Sequence, residues 1–416
     1  MKRRISVLLA VVLAAGLTAC AGKTENEQGD TSKTTDEKST ASPQTAIPLP
    51  EKMTAVIDRD GNKLGEIDGR GWKTAVDGGM IYSVFAPGEN QFSAPAQYHF
   101  YSLKDNSDKL LGTLGDQGYE AYYTRAELDG KLYTLAVEGN PMDYDADVLY
   151  LLALDPAAGT MKKYPVSSHG FPYTSMAVAD GKLLIMNHET SDDKSHKIYE
   201  FDPAGESIRE VLTIPDTEAS LRGICAGDNG FYLLKLHLEE GKEAQMYLDF
   251  YDLTYSRQSE LDVTNLLTAA IMDVHGIMNR SDALNELGYH VSHFCVVDGR
   301  VLVYHNFDLS CVAVDIVSSE TVFAKDDLYN VDAIRGTPIL YRTYYSPADV
   351  DVPEIYSVTA DGLMAIGFTS AGDYKLIQNI SVSRSGTWAV TAPDDMYGEN
   401  GTTAVYLFIQ DAQEND

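Results

Sequence analysis

Asp129-Gly130-Lys131-Leu132-Tyr133-Thr134-Leu135, followed after a polar gap by Leu149-Tyr150-Leu151-Leu152-Ala153-Leu154-Asp155-Pro156-Ala157-Ala158-Gly159-Thr160-Met161, is the stretch whose reading decides the fold. Each half is an apolar, alternating run bounded by Asp, Gly or Pro, the pattern of two strand pairs closed by tight turns. One such unit amounts to one antiparallel sheet.

The same phrase recurs along the chain. Turn markers stand at Asp77-Gly78, Asp129-Gly130, Asp180-Gly181, Asp228-Asn229-Gly230, Asp298-Gly299, Arg335-Gly336 and Ser385-Gly386, and the steps between their glycines are 52, 51, 49, 69, 37 and 50 residues. A second hairpin repeats beside the first, as in Tyr98 to Asp105, Lys197 to Pro203, Leu248 to Asp252, Cys311 to Asp315 and Glu354 to Val358. Four strands per unit at this period predict an all-β chain, a β-propeller of seven blades with six to eight possible. In each blade a polar turn follows the third strand, and a short fourth strand is expected to leave toward the next blade.

Two steps depart from the period. The long one contains residues 262–288, where Leu266, Leu267, Ala270, Ile271, Val274, Ile277 and Met278 recur at helical spacing, so a helical insertion is expected between blades four and five. The short one, of 37 residues, is either a trimmed blade or a misplaced marker. At the ends, Thr54 to Ile67 reads as a hairpin without a first half, while Ile377 to Val382, Thr387 to Val390 and Ala404 to Ile409 read as strands without an outer partner. The two remnants complement one another, and a ring closed by N- and C-terminal strands in one blade would hide the sheet edges. The propeller is expected over residues 51–411.

Ahead of it, Lys2, Arg3 and Arg4 precede the apolar run Ile5 to Leu13 and the small-residue phrase Leu17-Thr18-Ala19-Cys20. This resembles the lipobox of bacterial lipoproteins. The resemblance implies that residues 1–19 are a signal peptide and that Cys20 carries acyl chains of the palmitate type, anchoring the protein outside the cytoplasm, on the outer face of the cell membrane or the periplasmic side of the outer membrane. Residues 20–50 are polar and lack aromatic side chains, so they are read as a disordered tether, with a reach of about 30 Å.

With 62 Asp and Glu against 32 Lys and Arg, the formal net charge is −30. Such a balance excludes nucleic acid as a partner, because phosphate neutralisation needs a basic face. Once Cys20 is set aside, Cys225, Cys295 and Cys311 remain, an odd number. Cys295 and Cys311 are expected on the first and third strands of one blade, about 9–10 Å apart and too far for a bridge, so buried free thiols are expected.

Leu149 to Met161 and Ile198 to Ile208 resemble the repeats of quinoprotein-like propellers, and Ser383-Arg384-Ser385-Gly386-Thr387-Trp388-Ala389-Val390 resembles a repeat of the TolB-like propellers. Quinoprotein dehydrogenases carry a quinone and calcium. This chain holds two Trp, Trp72 and Trp388, and lacks their repeated tryptophan, so no cofactor is expected. Non-enzymatic propeller lipoproteins of envelope assembly are the nearer analogue.

Local signatures of the best-marked hydrolase, zinc and nucleotide chemistries are missing. His290 and His293 are spaced to opposite faces of a strand and are read as solvated or hydrogen-bonded side chains rather than metal ligands. Asp143, Asp145 and Asp147 alternate in a loop without the glycine and distal glutamate of a calcium loop, and are read as solvated. Asp58 to Asn62 suits a hairpin turn.

Ala126, Ala177, Ala226 and Cys295 stand four residues before their turn glycines, a level of small side chains read as structural. The irregular residues are more telling. Pro87 to Gln97, Glu138 to Asp147, Asn187 to His196, His237 to Ala244, Arg342 to Val352 and Pro393 to Gly401 are the long loops, and loops that join second to third strands or successive blades are expected to open on one face. Tyr122, Tyr123, His169, Phe171, Tyr173, Tyr329 and Tyr374 are expected on or beside that face, with Arg125 and Arg222 near the channel mouth. These residues are the candidate ligand-binding set, suited to a saccharide, a peptide or an envelope protein. The expected function is non-catalytic binding by a monomer. Two alternatives stand beside it: an extracellular glycosidase or lyase using carboxylates such as Asp143, Asp145, Glu189 or Asp373, and a scaffold for envelope assembly.

Overall fold

Strand pairing in the computed structural model arranges seven sheets. The model describes residues 53–409 apart from 70, 86–95, 115–117, 139–147, 169–174, 190–194, 216–219, 240, 277, 288–290, 307–309, 327–328, 333–337, 343–354, 367–376, 378 and 393–403. An initial hairpin, β1 (Met53–Ile57) and β2 (Lys63–Asp68), precedes blade 1, made of β3 (Lys73–Val76), β4 (Gly79–Phe85), β5 (Ala96–Ser102) and β6 (Ser107–Thr113). Blade 2 comprises β7 (Gly118–Leu128), β8 (Lys131–Glu138), β9 (Val148–Asp155) and β10 (Thr160–Ser167). Blade 3 comprises β11 (Ser175–Ala179), β12 (Lys182–Glu189), β13 (Ser195–Asp202) and β14 (Ser207–Pro215). Blade 4 comprises β15 (Ser220–Gly227), β16 (Gly230–His237), β17 (Gln245–Asp252) and β18 (Arg257–Asp262). Helices α1 (Thr264–His275) and α2 (Arg280–Leu287) then lead into blade 5, of β19 (Val291–Val297), β20 (Val301–Asn306), β21 (Ser310–Asp315) and β22 (Glu320–Asp326). Blade 6 is β23 (Tyr329–Asp332), β24 (Ile339–Arg342), β25 (Ile355–Thr359) and β26 (Gly362–Ala365), and the chain ends in β27 (Asn379–Val382), β28 (Thr387–Ala392) and β29 (Ala404–Ile409).

The architecture is a seven-bladed β-propeller. First strands of successive blades pack on one another, β7 on β11, β11 on β15, β15 on β19 and β27 on β3, so they surround the axis. Fourth strands such as β10 and β18 lie outermost and are largely exposed. They are not short, as the repeat suggested: β6 has 7 residues, β10 has 8 and β14 has 9. Their polar side chains hide the strand signal, since an outer strand buries little on either side. The trimmed step is a genuine but reduced blade, whose strands β23 to β26 have only four or five residues each.

Ring closure places the amino-terminal hairpin outside the last blade, in the order β2, β1, β29, β28, β27. This sheet has five strands, and β1 runs parallel to β29, with Val56 opposite Val405. Apolar residues of both ends then share a cluster with blade 1: Val56, Ile67, Val405 and Leu407 beside Met80, Tyr82 and Val84. Polar bonds complete the seam, from Ala75 N–H to Ser381 Oγ at 3.0 Å and from Ser385 N–H to Asp77 Oδ1 at 3.0 Å.

Elsewhere the core is likewise divided among blade interfaces. Leu135, Val137, Leu149 and Leu151 of blade 2 meet Leu183, Ile185 and Phe201 of blade 3, and Leu184, Met186 and Ile198 of blade 3 meet Leu233 and Phe231 of blade 4. Cluster by cluster, burial contributes about 25 cal/mol per Å², and no central core is needed. The helical insertion buries Leu267, Ala270 and Ile271 of α1 in the cluster shared by blades 4, 5 and 6. Gly276, at φ 61°, ends that helix by donating its N–H to Met272 O.

The tight turns follow the marker chemistry. Asp129 and Gly130 both have positive φ, 51° and 71°, as do Asp180 with Gly181 and Asp298 with Gly299, which is the two-residue turn whose twist matches flanking strands. The Arg335-Gly336 marker lies outside the described residues. Asp58 closes the β1–β2 turn by accepting the N–H groups of Asp60 and Asn62. Cys225, Cys295 and Cys311 are all free and buried, on β15, β19 and β21. Of the small-residue level, Ala126, Ala177 and Cys295 pack between blades, whereas Ala226 is exposed.

Candidate functional site

Innermost strands are where the regular ladder breaks. In β7 the pairing jumps from Glu120 opposite Ala136 to Arg125 opposite Thr134, so four residues, 121–124, face the single Leu135. In β15 Arg222 is the extra residue between Leu221, paired with Lys235, and Gly223, paired with Leu234. In β19 Ser292 is the extra residue between Val291 and His293. All three bulges lie on the long-loop side of the strand, away from the Asp-Gly turns. A bulge takes a residue out of the alternation between the two faces and re-aims it.

Arg222 is held in place by its neighbours. Leu221 N–H donates to His196 Nε2 at 3.1 Å, and Ile224 N–H donates to Ser175 Oγ at 2.9 Å, so blade 3 pins the chain on both sides of the bulge. His196 accepts through Nε2 and therefore carries its proton on Nδ1 when neutral. The side chain is half-buried, its buried Nε has no hydrogen-bond partner among the described residues, and burial draws its pKa down, opposed by Tyr304.

Arg125, in blade 2, has its guanidinium carbon 4.5 Å from the centre of the Trp72 ring. Trp72 is itself set against Tyr98, with ring centres 6.1 Å apart, at the interface of blades 1 and 2. His293, in blade 5, pairs across the ladder with His305, the rings stacked at 6.2 Å and 8°. Burial, and secondarily the charge of Arg125, push its pKa down to about 4. His293 is thus neutral at pH 7.

Charged residues on the seven first strands form a short roll. With described side chains they are Lys73, Arg125 and Arg222 against Glu127. Lys73 donates to Gly69 O and Gly71 O at 2.9 and 3.0 Å. Glu127 stands next to the turn end of β7, where it accepts Arg384 N–H at 3.3 Å.

Of the candidate set, Arg125 lies on the first strand β7 and Arg222 on the first strand β15. Tyr122 and Tyr123 fall in the backbone bulge of β7, and Tyr329 opens β23; their side chains, with His169, Phe171, Tyr173, Tyr374 and Cys20, lie outside the described residues. The long loops also lie largely outside them; the strands that flank them are the second and third of their blades. One such loop is described in most of its length: Arg280 of α2 contacts Glu243 at 3.4 Å and donates to Asn265 of α1 at 2.9 Å, joining the His237 to Ala244 segment to the helical insertion. Trp72, Ser175, His293 and His305 were not in the candidate set. Their signal would have been the bulge register, which no local pattern encodes.

Other chemistry finds little support. Burial pushes the Cys295 thiol up to about 12 and the Cys225 and Cys311 thiols well up too, so none is a ready nucleophile. No group of three His, Cys, Asp or Glu suited to a metal occurs among the described residues. A cleft of about 30 Å³ between blades 3 and 4, lined by Lys182, Glu200 and Tyr255, has room for about a single water. Glu200 is there occupied by Lys182 at 3.1 Å and Arg209 at 2.9 Å. The carboxylates Asp143, Asp145 and Asp373 and the side chain of Glu189 lie outside the described residues.

No protein-family model matches the chain, and no curated protein matches it. Among solved structures, a chain of a mitotic checkpoint complex superposes with a TM-score of 0.45 at 10% identity, covering 90% of this chain and all of that one. The β-propeller domain of the trilobed protease from Pyrococcus furiosus, described as having an open velcro topology, gives 0.45 at 13% identity over 80% of this chain and 93% of that one. Acylaminoacyl peptidase in complex with Z-Gly-Gly-Phe-chloromethyl ketone gives 0.41 at 11% identity over 66% of this chain and 43% of that one. These likenesses carry nothing about function, and the fold assignment rests on the strand pairing itself.

Proposed function

We propose that this chain is a lipid-anchored, extracytoplasmic β-propeller that binds a ligand or protein partner on its long-loop face and performs no covalent chemistry. The observation that carries this reading is the coincidence, at one end of the ring, of bulged first strands carrying Arg125 and Arg222 and the connections between second and third strands. Rigid sheets hold these connections, an arrangement suited to recognition. The anchor rests on the lipobox-like Leu17-Thr18-Ala19-Cys20, and no helix among the described residues is long and apolar enough to cross a membrane. More than one acyl chain gives a stable attachment, each buried methylene contributing about 0.8 kcal/mol.

Two experiments test the reading. A chain beginning at residue 50, applied to glycan and peptide arrays, should show reproducible binding without turnover; hydrolysis of a bound saccharide would defeat the non-catalytic reading. Expressed in a bacterial host, the full chain should partition into detergent with an acylated Cys20, and Cys20→Ala should release it. Detergent partitioning unaffected by that substitution would overturn the anchor.

A further inference from the structure

We propose that blade 4 carries an intramolecular isopeptide bond, formed after folding between Lys235 Nζ on β16 and Asp249 Cγ on β17, with Glu260 on β18 carrying the protons. Such a bond belongs to the chain's own covalent structure, acts on no substrate and is independent of the ligand-binding reading.

The strand ladder brings the three side chains together. Lys235 pairs with Tyr247 and Leu233 with Asp249, so Lys235 and Asp249 are diagonal neighbours on one face, and Glu260 lies directly opposite Asp249 on the next strand. That face turns toward blade 3, because Leu233 and Tyr251 on it belong to the apolar cluster shared with that blade. Asp249 is 0% exposed and Lys235 8%. Lys235 Nζ stands 2.7 Å from Asp249 Oδ2 and 2.9 Å from Glu260 Oε2. The contact with Glu260 is a hydrogen bond, whereas the one with Asp249 is not aligned for one, and neither buried oxygen of Asp249 has a hydrogen-bond partner among the described residues. Cγ is one bond beyond Oδ2, so Nζ is no more than about 4 Å from it, close to the separation at which positioned reactants react. Arg257 Nη1 completes the group, 2.8 Å from Glu260 Oε2 and 3.6 Å from Asp249 Oδ2.

Burial gives the reaction its direction. An ion pair taken out of water bears a desolvation cost that its mutual attraction offsets only in part, and a neutral amide built from the same atoms bears less. Burial raises the Asp249 carboxyl above its usual range against the pull of Lys235, and Glu260 adds to the rise. Burial also works to lower the Lys235 pKa, but the two carboxylates outweigh it and hold it up, so the amine is freed by handing its proton to a carboxylate of the triad. Glu260, bonded to Nζ and 42% exposed, takes one ammonium proton and passes it to Asp249. The neutral amine then attacks Cγ. The N–C bond forms, a second nitrogen proton travels through Glu260 to the hydroxyl, the C–O bond breaks and water leaves. The third proton stays on the amide nitrogen, and Glu260 ends as the carboxylate it began, still paired with Arg257. Lys–NH₃⁺ and Asp–COO⁻ thus become one amide and one water, with nothing oxidised or reduced.

Peptide mass decides the matter. The full chain, purified in nonionic detergent, is denatured and digested with trypsin, whose sites here are Arg222, Lys235, Lys242 and Arg257. An amide on Lys235 blocks the cut there and joins residues 223–242 to residues 243–257 in a branched peptide one water lighter than the two together. The expected result is that this branched peptide dominates in the native chain and is absent from Lys235→Arg. Glu260→Gln, purified in parallel and still melting cooperatively, should contain at least tenfold less of it. Separate peptides ending at Lys235 and at Arg257, from chain held native for days, would overturn the bond. A branched peptide as abundant in folded Glu260→Gln as in the native chain would overturn the part given to Glu260.

Discussion

Replacing Arg222 by Met exchanges a half-buried guanidinium, whose buried Nε has no described partner, for an apolar side chain of similar length. Removal of a poorly compensated buried charge is neutral or favourable, so Arg222→Met is expected to keep stability or raise it by roughly 1–2 kcal/mol, read as the midpoint of a urea melt. A large loss would instead assign the residue a structural role. His293 gives a pH signature. Burial and Arg125 hold its folded pKa at about 4, below the 6.5 of an unfolded histidine, so between those values the unfolded chain binds the extra proton. Its contribution is therefore full above about pH 6.5 and is lost as pH falls toward 4, by up to about 3 kcal/mol. Melts at pH 7, 5.5 and 4.5 should show this slope in the native chain and a shallower one in His293→Gln, whose side chain does not titrate. The groups facing that ring are Arg125 and His305.

Single elements were legible where local chemistry determines them. Asp129-Gly130 marks its turn because both residues adopt positive φ, 51° and 71°, a conformation few other pairs accept. Gly130→Ala should cost about 1–2 kcal/mol, read as a lowered midpoint of a urea melt. The helical insertion was equally readable from Leu267, Ala270 and Ile271, all fully buried. Leu267→Ala is expected to cost about 2–5 kcal/mol, measured by chemical denaturation, with ligand binding unchanged in the folded fraction. What could not be read is the slip of four residues in β7 and of one in β15 and β19. Those bulges place Arg125 and Arg222, but they arise from how neighbouring blades hold the strand, as the bonds from Leu221 and Ile224 to His196 and Ser175 illustrate. Outer strands such as β10 were underestimated for a related reason, since mostly exposed strands lack the alternation that advertises a buried face.

At the scale of the ring, the two incomplete ends foretold their union, while its parallel pairing and fifth strand were not foretold, because neither remnant records which direction its partner runs. Everything proposed about the long-loop face depends on that closure, which sets the last blade against blade 1. Ile57 and Tyr406 are paired neighbours on β1 and β29, and both are partly exposed. The most direct measurement joins them chemically: a chain beginning at residue 50 with Ile57→Cys and Tyr406→Cys is treated, while native, with a bis-maleimide short enough to bridge adjacent strands about 5 Å apart. Buried Cys225, Cys295 and Cys311 should stay unreacted. Rapid formation of an intramolecular bridge between the two ends, seen by peptide mass after digestion, is the expected result; two separately capped thiols, or bridges only between molecules, would contradict the closed ring.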